Sequence, residues 1–258
     1  DNTGGTLAGA GALDLRGRSV VNAAGGVISG QSVALRGADG IDNQGGSVQA
    51  NDALRVETAG TLDNRGGKLL GGGADIQAAA IDNRNGIAQA DGKLAVTTGG
   101  ALQNQAGGLY GGTLGIDAAS LANSGGKVAS GGALDLKTAG AIDNTDGTVA
   151  AQGLATLNAQ SLSNTRGIVA AGGLTLKTQG VLDNSAGLIQ ADDALALTAG
   201  SLKNRDTLAN GNAGAGATTA GALGLMGQQV TLDTTAIDNQ AGRIGAGQAL
   251  TLTTGVLD

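Results

Sequence analysis

The chain has 258 residues, 50 of them glycine, and its 15 basic and 21 acidic side chains leave a formal charge of −6. It holds no Cys, His, Pro, Phe or Trp and a single aromatic residue, Tyr110. This excludes a thiolate nucleophile, a disulfide framework, a zinc site and an imidazole base; one ring and a negative charge also argue against a stacking platform and against phosphate or sulfate backbones as partners, so no nucleic acid is expected.

No run approaches the ~18 consecutive apolar residues of a membrane span, and Asp1-Asn2-Thr3 does not begin a secretory signal. Glycine at this level without aromatics calls for a search for repeats. An asparagine recurs behind an aliphatic-x pair. After Asn2 come Asn22, Asn43, Asn64, Asn83, Asn104, Asn123, Asn144, Asn164, Asn184, Asn204 and Asn239, and ten of the eleven intervals lie within one residue of 20.

Each unit then reads in a fixed order. Two residues before the anchor stands an aliphatic residue, from Val20, Ile41 and Leu62 through to Leu202 and Ile237. Three residues after it stands a glycine: Gly5, Gly25, Gly46, Gly67, Gly86, Gly107, Gly126, Gly147, Gly167, Gly187 and Gly242, with Thr207 the exception. Such a glycine marks either a positive φ or a place with no room for a side chain. Five residues after the anchor an aliphatic is usual, and an alternating pair follows, such as Leu54/Val56, Leu94/Val96 or Leu174/Leu176. Period two sends alternate residues to one face of a strand. Each unit therefore predicts three short strands separated by tight turns.

Glycine about every fifth residue costs roughly 1 kcal/mol each inside a helix, and the apolar spacing never settles to 3.6. Collagen would need glycine at every third residue with abundant proline. In a leucine-rich repeat the Asn follows the Leu-x-Leu strand closely, whereas Asn64 follows Val56 by eight residues. The fold class predicted is all-β, a parallel β-helix (solenoid) of about 12–13 turns at ~4.8 Å per turn. Long and short gaps after the Leu-x-Leu pair alternate, and Thr58, Thr98, Thr138 and Thr178 fall 40 apart, so the unit is better described as a pair.

Only the interval after Asn204 departs, at 35 residues. The organisation predicted is repeats over 1–204, an excursion out of the rod over 205–222, and resumption over 223–258, with Leu223/Leu225 read as the next alternating pair. The excursion is low-complexity and reads as a linker-like insertion.

Among candidate sites, the inward asparagines are expected to stack as an amide ladder, as in cross-β assemblies, rather than to bind ligand. Beside them Asp42, Asp63, Asp82, Asp143, Asp183 and Asp238 form an outward column. Like charges ~4.8 Å apart repel by about 1 kcal/mol in water, a cost that Arg65 and Arg84 relieve. Calcium could use such a column, but the nonapeptide Gly-Gly-x-Gly-x-Asp repeat is missing. Sugar lyases and hydrolases also use parallel β-helices, yet their sites gather acids and bases in one cleft, while charge here is scattered by repeat. Ice binding would want Thr-x-Thr rows on successive turns, and the Thr column falls on alternate ones. No catalytic residue, cofactor or metal site is predicted.

The stretches IDNQGGSVQANDALRV (41–56), LDNRGGKL (62–69) and AIDNTDGTVAAQG (141–153) resemble the ~20-residue haemagglutinin repeat of filamentous haemagglutinin, HecA-type adhesins and the CdiA exoproteins. The resemblance covers nearly the whole chain, most weakly 205–236. It implies a right-handed parallel β-helix, secreted to the surface of a Gram-negative bacterium through an outer-membrane two-partner secretion transporter. It further implies an extended stalk, packed against flanking repeats of the same polypeptide, whose adhesive or toxic domains and receptor contacts lie elsewhere; direct adhesion along the rod face is the alternative. The register of Asp1-Asn2 and Leu257-Asp258 agrees with a segment of a longer array.

Overall fold

The structure is a computed structural model and describes residues 1–208 and 223–258. It is all-β among those residues, with 28 strands and no helix, wound as a solenoid of about 12 turns at ~20 residues per turn. Every pairing is parallel and joins one turn to the next, as in Ile81 beside Leu62 and Leu102. At ~4.8 Å per turn the rod is roughly 60 Å long.

Each turn contributes to three faces. Strands just after the anchor turn, such as Ser47–Ala50 and Lys127–Ser130, build the first. Strands carrying the alternating pair, such as Ala53–Thr58 and Leu134–Thr138, build the second. Three-residue strands leading into the anchor, such as Thr61–Asp63 and Ala141–Asp143, build the third. Where the corner between the first two faces is shallow the strand runs through it, as in Ile87–Thr98, with a register shift between Ala90 and Lys93.

Alternation dictates the core. Leu134 and Leu136 point inward while Asp135 and Lys137 point out, and Val128 and Ile142 close the same cross-section from the other two faces, with Val149 stacked on Val128 in the next turn. Buried side chains are almost wholly Leu, Val, Ile and Ala. Each fully buried large aliphatic contributes roughly 1.5–3 kcal/mol, too little for one turn to offset ordering ~20 residues at about 1–2 kcal/mol each. Stacking supplies the remainder, because each turn covers its neighbours and hydrogen-bonds to both.

The 40-residue period has a local cause. At long corners Thr58, Thr98, Thr138 and Thr178 are buried with their hydroxyls bonded to corner backbone: Gly60 N–H donates to Thr58 Oγ1 (3.1 Å) and Thr138 Oγ1 donates to the Gly140 carbonyl (2.9 Å). Short corners between them bury Ala78, Ala118, Ala159 and Ala199, which bring no polar group to satisfy.

Two details differ from the sequence reading. The turn after Asn22 holds one extra residue, so Gly25 carries a positive φ of 83°, Gly26 takes the crowded place and Ile28 rather than Val27 is the buried residue. Beyond the break, Leu225 lies on the first face opposite Ile189, and the alternating pair of the second face is Val230/Leu232 opposite Leu195/Leu197. Leu223/Leu225 is therefore not that pair, because the chain rejoins the rod one face earlier than even spacing implies. Most of the excursion, residues 209–222, lies outside the described residues. Just before it the Thr207 hydroxyl accepts the Arg243 N–H at 2.7 Å, in a row where the glycine backbone carbonyl serves elsewhere, as Gly147 O does for Ile168 N–H.

Candidate functional site

The anchor asparagines face inward at one corner. Ten of them, Asn22 through Asn204, are completely or almost completely buried; Asn2 and Asn239 are half-buried. In each the side-chain Nδ2 donates to Oδ1 of the next: Asn2 to Asn22, Asn43, Asn64, Asn83, Asn104, Asn123, Asn144, Asn164, Asn184, Asn204 and Asn239, at 2.6–2.9 Å throughout. The second Nδ2 proton points to carbonyls of the rod; for Asn104 these are Gly107 (3.4 Å) and Lys127 (3.2 Å). Amide groups spent on one another in a closed column leave little to offer a ligand. Asn184, next to the break, makes the longest of these bonds and lacks the contact to the following strand among the described residues.

The turn that holds this column joins the anchor carbonyl to the N–H three residues on, as in Gly107 N–H to Asn104 O (3.0 Å). Its third residue has positive φ: Gly45 and Gly66, but also Asn85, Ala106, Asp146, Arg166 and Ala186. The fourth, in the glycine column Gly46, Gly67, Gly86, Gly107, Gly126, Gly147, Gly167, Gly187 and Gly242, is there for space. A Cβ on Gly107 would lie 2.7 Å from Asn104 Oδ1 and closer still to the Asn83 carbonyl. At Thr207, where the column breaks, the rod's next strand is supplied only from Gly224 onward.

On the outside of the same corner, where an aspartate precedes the anchor it accepts the N–H two residues ahead, a side-chain mimic of a backbone turn. Asp42 takes Gln44 N–H at 2.9 Å, Asp63 takes Arg65 N–H at 3.1 Å and Asp143 takes Thr145 N–H at 3.0 Å. This role was not read from the sequence, although the Asp-Asn-x spacing carries the signal. Arg65 bridges Asp63 (2.6 Å) and Asp82 (3.7 Å), and Arg84 binds Asp82 (2.6 Å). Burial of the Asp82 carboxyl opposes its charge, but hydrogen bonds from the Arg84 side chain and N–H, with the charges of Arg84 and Arg65, hold its pKa below the ordinary value. Asp143 is shifted the same way, burial again outweighed by Ser124 and Thr145 donors. Arg205 likewise pairs with Asp238 across the break.

Elsewhere, charges of the first turns pair along the second face, Arg36 with Asp14 (2.6 Å) and Glu57 (3.6 Å), Arg55 with Glu57 (3.3 Å) and Asp75 (3.4 Å). Such exposed pairs contribute about 0–1 kcal/mol each. Among the described residues no group of three or more Asp or Glu side chains converges as a metal site would require. No helix there is long and apolar enough to cross a membrane.

A family model described as "Haemagglutinin repeat" matches the chain over residues 1–66, 37–106, 69–145 and 111–186. No curated protein and no solved structure gives a significant match.

Proposed function

The chain belongs to the haemagglutinin-repeat family, and from that premise we propose that it is a structural stalk segment of a secreted, surface-exposed adhesin-like protein. On this reading a Gram-negative cell exports it through an outer-membrane two-partner secretion transporter, and its flanking repeats continue the rod. The stalk holds receptor-binding domains, or the toxin of a contact-dependent growth inhibition effector, away from the cell; its own task is not catalytic. The observation that carries this is the unbroken amide column from Asn2 to Asn239, which makes about 12 turns one stiff body with its inward amides committed to holding it together. A chain without cysteine also suits passage through a pore unfolded, since no disulfide can form on the way.

The test is a series of in-register deletions in the parent polypeptide, each removing one 40-residue pair, such as residues 145–184. Every member should shorten the reach of the protein by about 10 Å and keep its adhesion or toxin delivery. Loss of activity on removing one particular pair, with the others tolerated, would replace the stalk by a binding module.

A further inference from the structure

The outward side of the first face has no part in closing the coil. Its strands send two rows to solvent, one running from Lys68 through Lys127 and Thr148 to Gly224, the other from Leu70 through Ala129 and Ala150 to Met226. None of the 21 acidic side chains falls in either row. A sheet face turned to water is ordinarily polar, but these rows present Leu70, Ile87, Tyr110, Ile168, Leu188 and Met226, all half-buried. The chain's single tyrosine and single methionine are both here, two residue types that protein interfaces enrich.

Two lysines interrupt the rows, Lys68 and Lys127, three turns apart by way of Ile87 and Gly108. Along the edge of the same face, the third residue of the anchor turn is an exposed aspartate at two places, Asp146 and Asp206. These too are three turns apart, by way of Arg166 and Ala186. Asp146 belongs to the turn that leads into Thr148, and Asp206 lies beside Ala186 as Gly224 lies beside Leu188. A second copy turned end over end, about an axis crossing the face between Lys127 and Thr148, sets Lys127 over the Asp146 turn. Because the two spacings are equal, Lys68 then falls over the Asp206 turn.

The same operation matches the remaining relief. Ile87 meets Leu188, Leu70 meets Met226 and Gln89 meets Gln190. The ring of Tyr110 occupies the space over Gly108, so it meets Ile168, while Ala170 leaves room for the rest of the side chain. Apolar groups meet apolar groups, amide meets amide, no lysine lies directly opposite a lysine, and every contact occurs twice, as a two-fold interface requires. A parallel pairing reverses the face edge for edge and carries both aspartates away from the lysines.

We infer that this face is an interface for a second copy of the chain, packed antiparallel about that axis. The face measures roughly 34 Å by 13 Å. Two copies pressed together over it bury on the order of 1,000 Å², the low end for a specific contact, so the dimer is a weak one with a Kd in the micromolar range. A lipid surface has no use for the matched aspartates, which favours the second copy. The inference is independent of the stalk reading, whose deletion series reads reach.

Sedimentation equilibrium of the purified chain should show monomer and dimer in exchange between about 10 and 500 μM. Lys127→Glu sets Glu against Asp146, and Asp146→Lys sets Lys against Lys127, so each should weaken the dimer about tenfold or more. An equimolar mixture of the two variants should recover the original affinity, because in the mixed dimer every contact between positions 127 and 146 again joins opposite charges. Both positions are exposed, Arg166 already places a long basic side chain at the equivalent turn position, and circular dichroism checks that the variants fold. Orientation is read separately. The chain has no cysteine, so Gln49→Cys takes one spin label just outside the contact. The antiparallel dimer holds the two labels about 43 Å apart along the rods, against about 19 Å for parallel rods offset by four turns and about 10 Å for parallel rods in register. A chain that stays monomeric, variants that associate as the original does, a mixture that stays weak, or a label distance near 10 or 19 Å would overturn the inference. So would binding to phosphatidylcholine vesicles by a chain that does not self-associate.

Discussion

A leucine at position 104 would remove one amide and strand two. Asn83 Nδ2 would lose its acceptor and Asn123 Oδ1 its donor, both fully buried. Each orphaned group costs roughly 1–3 kcal/mol. Asn104→Leu should therefore lower stability by about 2–5 kcal/mol, with amide exchange accelerated first in the turns on either side. Gln105→Ala is the contrast: the Gln105 Oε1 is buried without a partner, so its removal should be neutral or mildly stabilising. Equal denaturation midpoints for the two variants would refute the column's contribution. Much of this corner was legible in the sequence, because an asparagine every ~20 residues has one simple use in stacked turns. Sequence left open whether the accompanying glycine supplied positive φ or space. The structure divides the two: φ belongs to the residue before, even when that is Ala106 or Arg166, and space to Gly107 or Gly167.

At the scale of the turn, outer aspartates and buried threonines close the corners that the strands cannot. The pH dependence of the fold should follow from the aspartates. Because Asp82 and Asp143 have folded pKa values below the ordinary one, their contribution is complete above the unfolded value of about 3.9 and is lost as pH falls through the depressed folded values. The thermal midpoint should thus hold steady from pH 7 to 5 and drop below about pH 4, with a shallower drop in Asp82→Asn. An identical acid profile in that variant would remove Asp82 from the account. The threonine period was visible as numbers 40 apart, but not its reason, since only the folded corner shows the hydroxyls meeting backbone groups at Gly60 and Gly140.

For the whole rod, stability accrues turn by turn, each turn contacting only its neighbours. Removing residues 145–184 joins Asn144 to Ser185 in register, so the isolated chain should stay folded and shorten by about 10 Å in small-angle scattering. A collapse to a disordered profile would mean that some pair is a unique nucleus rather than one of a series. The break after Asn204 shows how much irregularity the array absorbs. Asn204 still bonds Asn239 at 2.7 Å across 35 residues, and Thr207 Oγ1 supplies the acceptor for Arg243.

The sequence by itself determined the class, the period, the inward columns and the place of the break, because translation along a stacked array turns three-dimensional neighbours into residues ~20 apart. Tertiary structure decided what period cannot encode. It placed an extra residue after Asn22, brought the chain back at Leu225 on the first face, and turned the outer aspartates onto N–H groups two residues ahead. It also laid the ring of Tyr110 flat over Gly108, in the outward row that Ile87 and Lys127 continue on the neighbouring turns. Such features depend on the direction in which each side chain leaves the backbone, a property of the closed coil and not of its spacing.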